Sequence, residues 1–439
     1  MKRIFILIIF LILLSIQKKA ESQNFTLAQC IQYALEHNIS VQQSKLSAET
    51  NKVNAEQIRS SRFPSVDANI RQNHVWIDEQ QAQSDNWKFT GNSFTSAGIN
   101  ANVTLFNGFR TNNAIKQAES NYQAGLLDAE TRKESVILQV LQAYMQVLYA
   151  DEQIKNAKNQ VDLTTKQLEY AKERYKIGAI SQADYLQIES QLATEKLTLT
   201  NANNQLASNK TNLMQLMEHP ITQSFSIEKP DLSQLKYNDS IPDVMQVYAL
   251  ALASKPQVQS IALKSKSAEL EISKAQANKL PTLSLEAGVT TNYSGKVSQL
   301  SFSSQLDHNF SPSIGVTLSI PIFKQGLIKS QIQNAQIQQQ ITQLDGQSTL
   351  NQLRKDVENA CLDVTSSITE YKSAFAQQQT ASESYAVAQE RFSKGVINSV
   401  DFLYQKTSFI KAESTLLQAR YNLLYSLKVL DFYSGKEVK

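Results

Sequence analysis

Apolar and polar positions in this chain follow two alternating periods, and the order of alternation is played twice. From Phe25 to Glu36, Leu27, Ile31, Ala34 and Leu35 fall on one helical face and predict a short helix, which breaks at Asn38 before a second helix to about Arg62. From Val244 to Ala253 the pattern predicts another short helix, broken at Lys255-Pro256, then a second helix to about Lys279 that Pro256 opens in its first turn. Both second helices end at a proline, and 281 − 64 = 217.

Past each proline the period drops to two. Val66, Ala68 and Ile70 alternate with Asp67, Asn69 and Arg71, and Leu283, Leu285, Ala287 and Val289 alternate with Ser284, Glu286, Gly288 and Thr290. A polar loop follows each, then a second alternating run: Ile99, Ala101, Val103 and Leu105 in the first copy, Ile314, Val316, Leu318 and Ile320 in the second. The expected strands are about 65–76 and 94–106, then 282–293 and 311–323, one β-hairpin per copy. Two isolated hairpins cannot bury a core in water. Strands of roughly ten residues with one apolar and one polar face match the dyad pattern of an outer-membrane barrel. Four strands are too few to close one, so the pattern demands strands pooled across subunits.

Two proline-free segments, about 110–176 and 327–393, come next and predict helices on the order of 100 Å long at 1.5 Å per residue. Val140, Val147, Ile154, Val161, Leu168 and Tyr175 recur every seven residues, with Ala143, Ala150, Ala157, Thr164 and Ala171 three places on. Val357, Val364, Tyr371, Gln378, Tyr385 and Phe392, with Ala360, Ser367, Ala374, Ala381 and Ala388, hold the equivalent points (357 − 140 = 217). A sustained heptad means a left-handed supercoil, and alanine at one seam lets backbones approach closely.

Each long helix ends in a related motif. Glu173-Arg174-Tyr175-Lys176-Ile177-Gly178 leads to Ser181 and Asp184-Tyr185-Leu186; Glu390-Arg391-Phe392-Ser393-Lys394-Gly395 leads to Asn398 and Asp401-Phe402-Leu403. This reads as helix, glycine turn, helix: an αα-hairpin tip, with return helices to about 217 and 432. The first repeat therefore covers 23–218 and the second 243–439, joined by a linker, 219–242, that contains Pro220, Pro230 and Pro242.

Lys2 and Arg3 precede an apolar run from Ile4 to Ile16, with small Ala20 and Ser22 beyond, so residues 1–22 read as a secretory signal peptide. That run is too short to span a bilayer, and no other approaches spanning length. Leu27-Ala28-Gln29-Cys30 imitates a lipoprotein site, but Gln29 is too large for the position before a lipidated cysteine, and the stretch lies inside an amphipathic helix. Cys30 and Cys361 have no partnered spacing and are expected as small buried residues. With 43 basic against 40 acidic residues, +3 overall, the charge is too balanced for a nucleic-acid binder. His37, His74, His219 and His308 are scattered, with no HExxH, no GxSxG serine and no phosphate-cradling glycine loop, so neither an enzyme nor a cofactor is expected.

The order of elements, with Arg62-Phe63-Pro64, Leu280-Pro281, Pro321-Ile322-Phe323, the Glu-Arg-aromatic-x-x-Gly tips and the Asp-aromatic-Leu after each, resembles the TolC-like outer-membrane efflux proteins over the whole mature chain. The resemblance implies a mainly α fold with membrane β: a homotrimer whose twelve-stranded β-barrel, four strands per chain, continues into a periplasmic α-helical coiled-coil barrel. It implies an outer-membrane duct in a Gram-negative envelope, in contact with outer-membrane lipid, that takes cargo from an inner-membrane pump of RND or ABC type through a periplasmic adaptor. The tips then form the closed entrance and the adaptor's docking surface, at Arg174, Tyr175, Gly178 and Ser181 and at Arg391, Phe392, Gly395 and Asn398. Asp184 and Asp401 carry over as the acidic ring at the narrowest point, and Tyr404 stands where some relatives have a further acidic residue. Asn107-Gly108 and Gln325-Gly326 lack the paired glycines often found after the barrel strand.

Read without the resemblance, Gly178 and Gly395 are left-handed helix ends, and Asp184 and Asp401 can be dipole partners of the return helices. Arg174 and Arg391 either bond carbonyls at the helix ends or meet the adaptor. The competing reading of the whole chain is a periplasmic adaptor or structural coiled-coil protein that never enters the membrane. Adaptors, however, need domains of many short strands, for which this chain has no sequence.

Overall fold

A computed structural model describes residues 24–80, 87–221, 225–229, 243–295 and 300–437; the expected signal peptide and most of the linker lie outside them. In chain order the elements are β1 (Asn24–Phe25), α1 (Leu27–His37), α2 (Ile39–Ser60), β2 (Ser65–Gln80), β3 (Trp87–Phe106), α3 (Arg110–Lys176), α4 (Gln182–Met217) and β4 (Ser226–Ile227). There follow α5 (Val244–Ser254), α6 (Pro256–Ala277), β5 (Thr282–Ser294), α7 (Phe302–His308), β6 (Ser311–Ser319), α8 (Leu327–Ser393) and α9 (Ser399–Tyr433). The chain forms two compact units, one of Met1–Lys45, Asp128–Val258 and Thr349–Lys439, the other of Leu46–Leu127 and Gln259–Ser348. Each draws on both repeats.

The helical unit is built on the heptads. Val140, Ala143 and Val147 of α3 are buried against Cys30, Ile31 and Ala34 of α1 and Leu213 and Met217 of α4. Val357 and Cys361 of α8 pack on Val247 and Ala251 of α5. The break between α1 and α2 is made by Asn38, whose Oδ1 accepts the Ser40 and Val41 amides (2.9 and 3.3 Å) while its Nδ2 donates to the Leu216 carbonyl of α4 (2.9 Å). At the matching break Lys255 ends α5, its ammonium 3.2 Å from the Phe432 ring centre and 3.1 Å from Glu134. The sequence pattern carries no sign of β1 and β4, which pair in parallel over two residues (Asn24↔Ser226, Phe25↔Ile227). Both cysteines are buried and unpaired, and desolvation pushes the Cys30 thiol up to about 12. Cys30 is packed inside α1, as expected of a small buried residue.

The other unit holds an antiparallel sheet in the order β2-β3-β5-β6. Its register sets Val66 opposite Ala101, Ile99 opposite Val289 and Leu285 opposite Val316, so the apolar positions of all four strands share a face. That face is bare in the single chain: Val66, Ile70, Ile99, Ile314, Val316 and Leu318 are all exposed. On the other face Asn100 Nδ2 donates to Asn69 Oδ1 (3.3 Å) and Asn102 Nδ2 to Glu286 Oε1 (3.5 Å). β2 and β3 outrun the expected 65–76 and 94–106, because the ladder continues through residues without clean alternation. β6 stops at Ser319 rather than near 323; Thr282↔Ser319 is the last pair, and Pro281 and Pro321 beside it have no N–H to extend the ladder. The expected polar loop between β5 and β6 contains α7, started by Ser301, whose Oγ accepts the Ser304 amide (3.2 Å).

The turns entering α3 and α8 each need two successive left-handed residues, Gly108 (φ 64) with Phe109 (φ 65) and Gln325 (φ 50) with Gly326 (φ 80). Since 325 − 108 = 217, each turn has kept one glycine, at opposite positions of the pair. The turn geometry survives without paired glycines, with one non-glycine residue per turn held where a Cβ is disfavoured by about 1–2 kcal/mol.

Candidate functional site: the two hairpin tips

Both tips close by the same backbone bonds. Ala179 N donates to Arg174 O (2.8 Å) and Gly178 N to Tyr175 O (3.0 Å); Val396 N donates to Arg391 O (2.9 Å) and Gly395 N to Phe392 O (3.0 Å). The glycines sit at φ 72 and 74, where the left-handed region spares only a residue without Cβ. Ser181 and Asn398 cap the return helices, accepting the Asp184 and Asp401 amides at 3.1 and 2.8 Å. This places both aspartates in the first turn of a return helix, where the dipole favours a carboxylate. Each hairpin is clamped by an equivalent stacked pair, Tyr175 on Tyr185 (5.6 Å) and Phe392 on Phe402 (4.6 Å).

Between the hairpins the ties are polar and one-sided. Arg174 Nη1 donates to the Phe392 carbonyl (3.4 Å), and its Nη2 lies 3.3 Å from where a Cβ on Gly395 would stand. Asp184 Oδ1 accepts from the Ser399 amide (3.3 Å) and the Ser399 hydroxyl, and Oδ2 from the Ser181 hydroxyl (2.6 Å). Those hydroxyls, Ser181 first and then Ser399, hold the Asp184 carboxyl below the ordinary carboxylate value. Arg391 and the Asp401 carboxylate make no such contact among the described residues, and Tyr404 is 69% exposed. The structure therefore brings Arg174, Gly395 and Asp184 together and leaves Arg391, Asp401 and Tyr404 facing solvent.

Farther along the helices lies a group that periodicity alone did not single out. Lys406 of α9 is fully buried (0% exposed), with Nζ 2.9 Å from Glu195 Oε1 of α4. The Thr164 hydroxyl of α3 stands between them, accepting from the ammonium and donating to the carboxylate. Gln191 donates to Glu195 (2.9 Å), Lys406 to Gln167 (3.4 Å), and Gln167 to the Tyr385 hydroxyl of α8 (3.2 Å), so four helices meet in one network. Burial pushes the Lys406 ammonium down from its usual range, and Glu195 pulls it back up. The signal was present: Lys406 follows Phe402 and Leu403 on the buried stripe of α9, and Glu195 follows Ile188 and Leu192 on that of α4. Solvent-accessible ties like those at the turns are worth about 0–1 kcal/mol, whereas stranding one partner of a buried pair costs about 3–5 kcal/mol.

A duplicated chain that presents an apolar sheet face and carries two 67-residue helices ending in hairpin tips defines a class, the export ducts of the outer membrane. The chain belongs to the Outer membrane efflux protein family, whose model matches residues 30–219 and again 247–436, offset by the repeat length (247 − 30 = 217). It is 26% identical over 364 residues to "Outer membrane protein TolC" of Escherichia coli (strain K12), covering 74% of this chain and 71% of that one. It is 21% identical over 414 residues to "Outer membrane efflux protein BepC" of Brucella suis biovar 1 (strain 1330), covering 94% and 85%. The fold matches the Campylobacter jejuni CmeC outer membrane channel with a TM-score of 0.80 over 93% of this chain and 85% of that one, at 18% identity. The chain is an outer-membrane exit duct of efflux or secretion machinery in a Gram-negative envelope, extending into the periplasm. Members of its family are channels. No helix among the described residues is long and apolar enough to cross a membrane.

Proposed function

We propose that the chain works as a homotrimer that conducts cargo passively and is gated at its hairpin tips. The observation that carries this reading is the contrast at the tips between polar, water-accessible ties and a stacked aromatic clamp inside each hairpin. Ties of that kind can release without unfolding either hairpin. Three copies would pool β2, β3, β5 and β6 into a twelve-stranded barrel, pairing the free edges of β2 and β6 and turning the exposed apolar face to lipid. Residues 1–22 would direct the chain to the periplasm and be removed.

In this reading Asp184, Asp401 and Tyr404 line the entrance. Asp401, whose carboxylate has no partner among the described residues, would supply the axial negative charge, and Asp184 the bond that keeps the hairpins together. The exposed turn residues around Gly178 and Gly395, with Arg174, Tyr175, Ser181, Arg391, Phe392 and Asn398, would seat a periplasmic adaptor, and through it an inner-membrane pump of RND or ABC type. The protein itself performs no bond chemistry. The alternative of an adaptor without a membrane sheet is dropped with the family assignment.

Asp184→Ala with Asp401→Ala should weaken block by multivalent cations and raise resting conductance in planar lipid bilayers, since carboxylates crowded on an axis attract cations. Unchanged block and conductance would sink the gate assignment.

A further inference from the structure

The two hairpins of one chain are joined by part-buried polar ties at the turns, by a buried charged network at Lys406, and farther from the tips by Gln153 on Ser414 (2.9 Å) and Tyr149 against Tyr421. At the turns, the bonds of Arg174 to the Phe392 carbonyl and of Asp184 to Ser399 are part-buried, with Arg174 and Asp184 still partly exposed, so water can compete for them. At Lys406 the ammonium, the Glu195 carboxylate and the Thr164 hydroxyl are all buried, and water has no route to substitute for any of them. Each hairpin is clamped by its own aromatic stack. We propose that the Lys406–Glu195–Thr164 network is the pivot about which the tips part: the ties at the turns release, and the splaying stops where the buried ammonium holds α9 to α3 and α4. This rests on the reading of the tips as the gate.

Two further observations favour a pivot over general cohesion. The network is absent from the internal symmetry: 406 − 217 = 189 is Glu189, 195 + 217 = 412 is Ala412, and 164 + 217 = 381 is Ala381. A device that merely stabilised a supercoil would suit either register; this one occurs once per chain, at the seam where the two hairpins meet. The second observation is the length of the arm. The return helix begins at Ser399, and from there to Lys406 is 406 − 399 = 7 residues, about 10 Å at 1.5 Å per residue. Motion confined to an arm of that length leaves the core around Leu353, Val357 and Val364 packed.

Lys406 and Glu195 are thus positioning residues, and their test must separate position from stability. The full-length protein is reconstituted in planar bilayers and its resting conductance read beside its thermal midpoint. Lys406→Met and Glu195→Met alone should each lower the midpoint. The double variant removes both charges and leaves the Thr164 hydroxyl free to donate to the Gln160 carbonyl, 2.8 Å away, so its midpoint should recover. Its resting conductance should nevertheless rise roughly twofold or more, because the tips now splay past the lost pivot. Lys406→Arg, which keeps the charge, should retain native resting conductance even if the double variant stays unstable. Native conductance in the double variant, or a leak in Lys406→Arg as large as the double variant's, overturns the pivot. Asp184→Ala with Ser399→Ala distinguishes the two readings. If it leaks while the double variant does not, the pivot is wrong and the gate stands; if neither leaks, the gate reading fails and the pivot falls with it.

Discussion

At the first tip Asp184 is half-buried and bonded to the neighbouring hairpin, while at the second, built on the same backbone turn, Asp401 bonds only through its own helix cap. Arg174 and Arg391 differ in the same way. The repeat register makes each pair equivalent, yet within one chain only the first-repeat member has a neighbour to reach, because the second tip's outer side is where the chain runs out of hairpins. Duplication copies a backbone; the surroundings decide what each copied side chain does.

The sharpest way to break this comparison is at the glycines. A Cβ on Gly178 meets nothing within 4 Å, whereas one on Gly395 lies 3.3 Å from Arg174 Nη2. Gly178→Ala should therefore cost only the left-handed penalty of about 1–2 kcal/mol, while Gly395→Ala should cost more and also loosen the Arg174 tie. Equal losses in denaturant unfolding of the two variants would show that the tips are not asymmetric in solution.

A smaller effect separates the aspartates by pH. The Asp184 carboxyl is held below its ordinary value of 3.8, so its tie is in full force above that pH and is lost as pH falls through the lowered folded value. Because the carboxylate is still partly exposed, the tie is worth about 1 kcal/mol. The protection of the tip amides, their exchange taken relative to the intrinsic rate at each pH, should fall on acidification through that window in the native protein. Asp184→Asn should abolish the step and Asp401→Asn should keep it; an unchanged step in Asp184→Asn would disprove the assignment.

Smallest is the effect at the turns into α3 and α8. Phe109→Gly and Gln325→Gly should each stabilise the protein by about 0.5 kcal/mol, since each relieves a left-handed non-glycine residue. A loss of stability in either would mean that the side chain contributes more by packing than it loses by strain. Phe109, at 5.7 Å from the Phe106 ring, is the more exposed to that outcome.

Much of this architecture could be read from the chain, for identifiable reasons. The heptads exposed α3 and α8 because a seam held over six successive heptad positions cannot be mimicked by chance, and the prolines at 64 and 281 marked where helix gives way to strand. What escaped was short or non-local. β1 and β4 are two residues each and exist only because the segments meet. α7 begins at a serine cap in a segment with no apolar periodicity. The difference between Asp184 and Asp401 is invisible to any reading by register, since it depends on Ser399, which has Gln182 as its counterpart (399 − 217 = 182). Lys406 was legible in principle, as a charge on an apolar stripe, but its partners lie on two other helices.

The sealed thiols have a practical consequence. Only a thiolate reacts with maleimides, and with its value pushed up to about 12, Cys30 has on the order of one part in 100,000 in that form at neutral pH, even before steric exclusion. Cys361 is also buried and raised. The native chain is therefore already a silent background for site-directed labelling: a single cysteine introduced at exposed Tyr404 would be the one reactive thiol, and paired probes there could follow the tips without altering the rest of the sequence.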